Sequence, residues 1–98
     1  MNARLLAVAV FGLAAIALAP AVAAEAPPGA ASCSGCHAAN AGVDTAVPRL
    51  AGRNAGELTA QMQAFRSGER QATVMDKIAK GFSDAEVQAI AAWYAAQR

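Results

Sequence analysis

Cys33-Ser34-Gly35-Cys36-His37 holds both cysteines and the only histidine of the 98-residue chain. A C-x-x-C-H run of this kind is the pattern of a c-type haem attachment site. Two thiols about one helical turn apart can form thioethers to the two vinyl groups of one haem. The imidazole beside the second thiol then sits under the iron as its proximal ligand. Cys33, Cys36 and His37 can therefore serve one haem c and no more.

Three other chemistries fit the motif less well. Zinc needs four N, S or O ligands, and one turn supplies three, with no second Cys or His pair elsewhere. A thioredoxin-like redox pair belongs next to a strand in a βαβ unit, and no strand pattern is visible. A plain disulfide would leave His37 without a role.

The residues before the motif read as an export signal. Arg4 opens a positive end, residues 5–19 are apolar and uncharged, Pro20 breaks the run, and Ala21-Val22-Ala23-Ala24 supplies small residues for cleavage. This divides the chain into a secretory signal peptide over residues 1–24 and one domain over residues 25–98. A retained membrane anchor is the alternative, but the run of about 15 residues is shorter than the roughly 20 that span a bilayer. The 56% hydrophobic content is raised by this segment. Export places the cysteines in an oxidising compartment, here the periplasm.

Of the eight Lys and Arg, only Arg4 precedes residue 25, which leaves seven cations against seven Asp and Glu. Such a balance argues against nucleic acid or an anionic membrane surface as partner, with membrane contact only through an uncleaved signal segment. A domain of about 74 residues buries a small fraction of its surface and usually needs a staple, and a covalent haem would serve as one.

The pattern downstream is helical throughout. Residues 30–38 are small and compatible with a first helix carrying the haem motif, ended at Asn40-Ala41-Gly42. Residues 39–53 form a long loop. Asn54 and Glu57 have the spacing of a capping box, followed by an apolar stripe of Leu58, Met62 and Phe65 and a stop at Gly68. Thr73 is a candidate cap for a short helix carrying Met75, Ile78 and Ala79, ended by Gly81. Ser83 and Glu86 make a second capping box, and Val87, Ile90, Ala91 and Tyr94 form the inner face of the last helix, with Trp93 beside it. The expectation is an all-α fold of four short helices and one long loop.

A metal-bound imidazole donates its other N–H to an acceptor that fixes the ring. Pro48, in the long loop, either offers its carbonyl for this or only stiffens the chain. With no second histidine, the sixth iron position falls to Met62, Met75, Lys77 or Lys80, or stays open. Met62 lies on a core stripe. Met75, at the start of a short helix after a polar stretch, is the favoured candidate. Arg53, Lys77 and Lys80 read as solvated charges, with haem propionates or a partner as the alternative. Gly35 is the small residue expected where the last helix crosses the first.

The motif, Val47-Pro48-Arg49-Leu50-Ala51-Gly52, Met75, and Ile90-Ala91-Ala92-Trp93-Tyr94 together resemble the class I c-type cytochromes over essentially all of residues 25–98. That resemblance implies crossed N- and C-terminal helices around one haem, His37 and Met75 as axial ligands, a backbone acceptor at Pro48, and haem packing by Leu50. A narrower stretch, Ala72-Thr73-Val74-Met75-Asp76-Lys77-Ile78-Ala79-Lys80-Gly81-Phe82-Ser83 preceded by Phe65-Arg66-Ser67-Gly68-Glu69, is similar to the haem subunit of flavocytochrome c sulfide dehydrogenase. The narrower resemblance implies an electron-accepting subunit docked on an FAD-containing sulfide dehydrogenase subunit, although many of those relatives carry two haem domains and this chain has one motif. The alternatives are a free electron shuttle to a terminal oxidase or reductase and, from another class, a small-ligand haem sensor with an open iron site.

Overall fold

The longest helix, α2 (Ala55–Ser67), starts at Asn54, whose Oδ1 accepts from the Glu57 backbone N–H at 3.0 Å. The reciprocal half of the predicted box does not form. The Glu57 carboxylate instead accepts from Gln61 Nε2 one turn on, at 3.2 Å. Leu58 faces the core and Met62 and Phe65 are half-buried. Gly68 closes the helix in the left-handed conformation, at φ 83°, where a side chain would be strained. The computed structural model describes residues 12, 16–18, 25–38 and 46–97. The predicted signal segment lies almost wholly outside these residues, as does the start of the long loop over residues 39–45. No helix among the described residues is long and apolar enough to cross a membrane.

Two short helices flank α2 in sequence. The first, α1 (Ala30–Cys33), is shorter than the run of small residues predicts, but turns continue through Cys36, and the His37 N–H reaches the Cys33 carbonyl at 2.9 Å. The haem motif thus occupies the last residue of α1 and the turn after it. Following α2, α3 (Met75–Ala79) starts at Val74 and not at Thr73, and no side chain caps it. The chain enters α3 from Val74 at φ −140°, one residue later than the side-chain oxygen of Thr73 would require.

The last helix, α4 (Asp84–Ala95), is built as its sequence dictates. Ser83 Oγ accepts from the Glu86 N–H at 3.2 Å, and Glu86 Oε1 accepts from the Ser83 N–H at 3.1 Å, so both halves of the box close. These bonds hold the Glu86 carboxyl below the usual range, because they favour the ionised form. Val87, Ala91 and Tyr94 are buried, and Ile90 is half-buried beside them. The four helices, with no strand among the described residues, make an all-α fold.

The core is Ala30, Leu58, Ala91 and Tyr94, with Cys33, Leu50, Ala55, Ile90 and Trp93 packed against it. The close approach of α4 to α1 falls at Ala30, which is fully buried, and not at Gly35. Gly35 is exposed, and a Cβ there would meet only the Ser32 carbonyl at 3.4 Å. Just before α1, Gly29 has φ 88°, and a Cβ there would stand 2.6 Å from the Phe82 ring ahead of α4 and 3.5 Å from Ile90 Cδ1 on α4. Tyr94 locks the crossing by donating its hydroxyl to the Ala30 carbonyl at 2.6 Å. The loop before α2 is tied in as well, through the Gly52 N–H to the Tyr94 carbonyl at 3.0 Å.

Among the described residues, α1 packs on α4, α4 on α2, and α2 on α3. The helices at the two ends of this series, α1 and α3, do not touch each other. Where α3 joins α4, one side chain spans the corner. Arg66, near the end of α2, donates from Nη2 to the Phe82 carbonyl at 2.7 Å and from Nε to the Ala79 carbonyl at 3.4 Å, and its Nη1 pairs with Asp84.

Candidate haem site

The turn after α1 presents two unbridged thiols, Cys33 half-buried against the core and Cys36 exposed. Burial raises the Cys33 thiol above its ordinary range. The next residue is fixed by the loop. His37 Nδ1 lies 2.5 Å from the Pro48 carbonyl oxygen. A carbonyl can only accept, so Nδ1 carries the proton and donates. In a neutral imidazole the other nitrogen, Nε2, is then unprotonated and has its lone pair available to a metal.

The remaining residues singled out from the sequence are spread over the framework. Leu50 is half-buried against the core cluster that also holds Cys33. Met75 is half-buried and opens α3, the helix that does not touch α1. Met62 is half-buried within α2. Arg53, Lys77 and Lys80 are exposed. Trp93 sets its ring edge-on to Tyr94, with centroids 4.9 Å apart and planes at 84°. The sequence gives Arg66 no role of its own. A basic residue in the last turn of α2 and an acidic one in the first turn of α4 were the available signal.

These residues fit a haem. The donor set is two thiols and an imidazole with a free Nε2, all within one turn. Beyond Ile16 and Leu18, the large apolar side chains left exposed among the described residues are Val47, Val74 and Ile78. One of them precedes Pro48, and the other two flank or lie on α3, so the apolar surface left uncovered falls on segments that carry the other candidate haem residues. A flat apolar macrocycle held by Cys33, Cys36 and His37 is a group that would cover apolar surface of this kind. Groups of three or more His, Cys, Asp or Glu able to hold a bare metal ion do not occur among the described residues.

An all-α fold whose first and last helices pack together, and this donor set at the end of the first and in the turn after it, define a monohaem class I c-type cytochrome. Residues 29–93 match the family described as cytochrome C oxidase, cbb3-type, subunit III, and the chain belongs to that family of cytochrome c domains. It binds one haem c through Cys33 and Cys36 and is an electron carrier.

Individual relatives narrow the comparison. The chain is 45% identical over 93 residues to a thiosulfate dehydrogenase electron acceptor of Thiomonas intermedia, covering 93% of this chain and 42% of that one. It is 30% identical over 63 residues to the cytochrome subunit of sulfide dehydrogenase of Chlorobaculum tepidum, covering 64% and 57%. It is 34% identical over 70 residues to cytochrome c-554(548) of Halomonas halodenitrificans, covering 67% and 84%. The chain thus spans less than half the length of the thiosulfate dehydrogenase electron acceptor.

Proposed function

We propose that this cytochrome accepts single electrons from a dehydrogenase that oxidises a reduced inorganic sulfur compound, with thiosulfate dehydrogenase as the donor. The observation that carries the choice of donor is the 45% identity, extending over 93% of the chain, to a thiosulfate dehydrogenase electron acceptor. An FAD-containing sulfide dehydrogenase subunit is the second reading, supported by the sulfide dehydrogenase relative. A free shuttle between redox proteins is compatible with the match to cytochrome c-554(548). Residues 1–24 act as a signal peptide in this reading, residues 25–98 form the cytochrome domain, and the domain works in the periplasm.

His37 and Met75 are the axial ligands in this proposal. Bound haem supplies one-electron ferric–ferrous cycling, at a potential that thioether ligation raises. The chain's part is positional. The Pro48 carbonyl holds the imidazole through Nδ1 and so aims Nε2. Leu50, packed on the core, gives the porphyrin an apolar wall. Met75 closes the opposite side, which favours electron transfer over ligand binding.

The donor is tested by mixing the ferric protein with purified thiosulfate dehydrogenase and thiosulfate, and in parallel with sulfide dehydrogenase and sulfide. The proposal expects haem reduction in the first mixture, dependent on both enzyme and thiosulfate. Reduction only in the second mixture transfers the assignment to sulfide dehydrogenase. Reduction in neither removes both.

A further inference from the structure

The half of the site that carries Met75 is held differently from the half that carries His37. α3 has five residues, too few to be stable alone. Val74 gives it no side-chain cap, residues 69–74 before it are exposed, and Ala79 is its one buried residue. α2 is the only helix it packs against among the described residues. Its one fully buried residue, Ala79, and the bond from Arg66 to the Ala79 carbonyl both lie at its C-terminal end, while Met75 and Asp76 at its start are half-buried.

We propose that Arg66 is the positioning residue for Met75, setting where the thioether stands by pinning the end of α3 to α2 and to the start of α4. This inference rests on the reading of Met75 as an axial ligand. The guanidinium bonds two carbonyls, one at the end of α3 and one in the connection to α4, and pairs with Asp84 in the first turn of α4. A cation is favoured against helix-terminal carbonyls, and the Asp84 carboxylate offsets its charge. Met75 lies about 6 Å along the axis from Ala79, one helical turn, so it moves with that anchored end. Arg66 acts through α3. A lysine cannot replace the fork, because an ammonium is a compact charge on a flexible stem and cannot hold three acceptors in one plane.

The test uses the haem-loaded protein and the variants Arg66→Met, Arg66→Lys and Asp84→Asn. Three quantities are read: the thioether–iron band at the red end of the ferric spectrum, imidazole affinity of the ferric protein, and the urea midpoint of far-UV circular dichroism. In both Arg66 variants imidazole affinity should rise about tenfold, which corresponds to a 1.4 kcal/mol looser thioether. The band should be lost at lower urea than the helical signal, whereas the two coincide in the unsubstituted protein. Asp84→Asn leaves the two carbonyl bonds in place and should give a smaller change in the same direction. If Arg66→Met does not fold, Arg66→Lys and Asp84→Asn carry the comparison. Unchanged imidazole affinity in folded variants, or band and helical signal lost together at a common lower midpoint, overturns the inference and makes Arg66 an ordinary stabilising residue. An unsubstituted protein without the band, with a spectrum unaffected by Met75→Ala, overturns the ligand reading and this inference with it. A band that is present but insensitive to Arg66 overturns this inference alone.

Discussion

At the α1 end of the molecule the cofactor turn is joined directly to the core. Cys33 packs against the buried cluster, Tyr94 bonds the Ala30 carbonyl, and Pro48 bonds His37. At the α3 end Met75 opens a five-residue helix that has one buried residue and no side-chain cap, and a guanidinium from α2 spans its far end. The first end is held by several contacts distributed over α1, α4 and the loop, and losing one leaves the others. The second packs on α2 alone among the described residues, and its hydrogen bonds to the neighbouring elements come from one side chain, Arg66. If Met75 is the sixth ligand as proposed, loosening its side should leave the haem covalently attached through Cys33 and Cys36.

The largest effect should come from breaking the α1 end covalently. Replacing Cys33 and Cys36 together by alanine should leave no haem on the polypeptide after denaturing electrophoresis, while each single variant retains one thioether and some covalent haem. Cys36 is exposed, so its loss costs no packing. Haem that stays covalently attached in the double variant would place the attachment elsewhere.

A smaller effect tests how the same end is locked. Tyr94→Phe removes the donor to the Ala30 carbonyl within a buried pair, and an unsatisfied buried acceptor costs about 1–3 kcal/mol. For a domain of this size that lowers Tm by several degrees, at about 4–8 °C per kcal/mol. The thioether band should persist until global unfolding, in contrast with its early loss in the Arg66 variants. Early loss of the band in Tyr94→Phe would mean that the two ends are not independent.

The smallest effect concerns the cap of α4, the helix packed on both α1 and α2. The Glu86 carboxyl is lowered by its bonds to Ser83, so the ionised group stabilises the fold above its unfolded value near 4.5. That contribution disappears as pH falls through the lowered folded value. Glu86→Gln should therefore have a slightly lower Tm than the unsubstituted protein at neutral pH, and the gap should close on acidification. A gap that widens at low pH would reverse the assigned sign.

The reach of sequence reading follows the range of the contacts. The α4 capping box and buried stripe are legible because Ser83, Glu86, Val87, Ala91 and Tyr94 act within one helix. Cys33, Cys36 and His37 are legible because their chemistry needs only five consecutive residues. The Asn54–Glu57 box is half legible, since Gln61 competes for the carboxylate. The position of the helix crossing, at Ala30 and not Gly35, is not legible, because which small residue meets α4 is decided by packing some sixty positions away, at Tyr94. Thr73 has the chemistry of a cap, but α3 begins one residue beyond the position where that chemistry could be used. Arg66 escaped because its partners lie 13 to 18 residues further along and two of them are main-chain carbonyls, which leave no mark in a sequence.

The central claim is that one haem c sits between His37 and Met75. The most direct measurement compares the ferric spectrum and carbon monoxide binding of the reduced protein with those of Met75→Ala. The account predicts a thioether–iron band in the unsubstituted protein, lost in Met75→Ala, with carbon monoxide binding slowly before the substitution and rapidly after it. A band that survives in Met75→Ala, or rapid carbon monoxide binding to the unsubstituted protein, would contradict it.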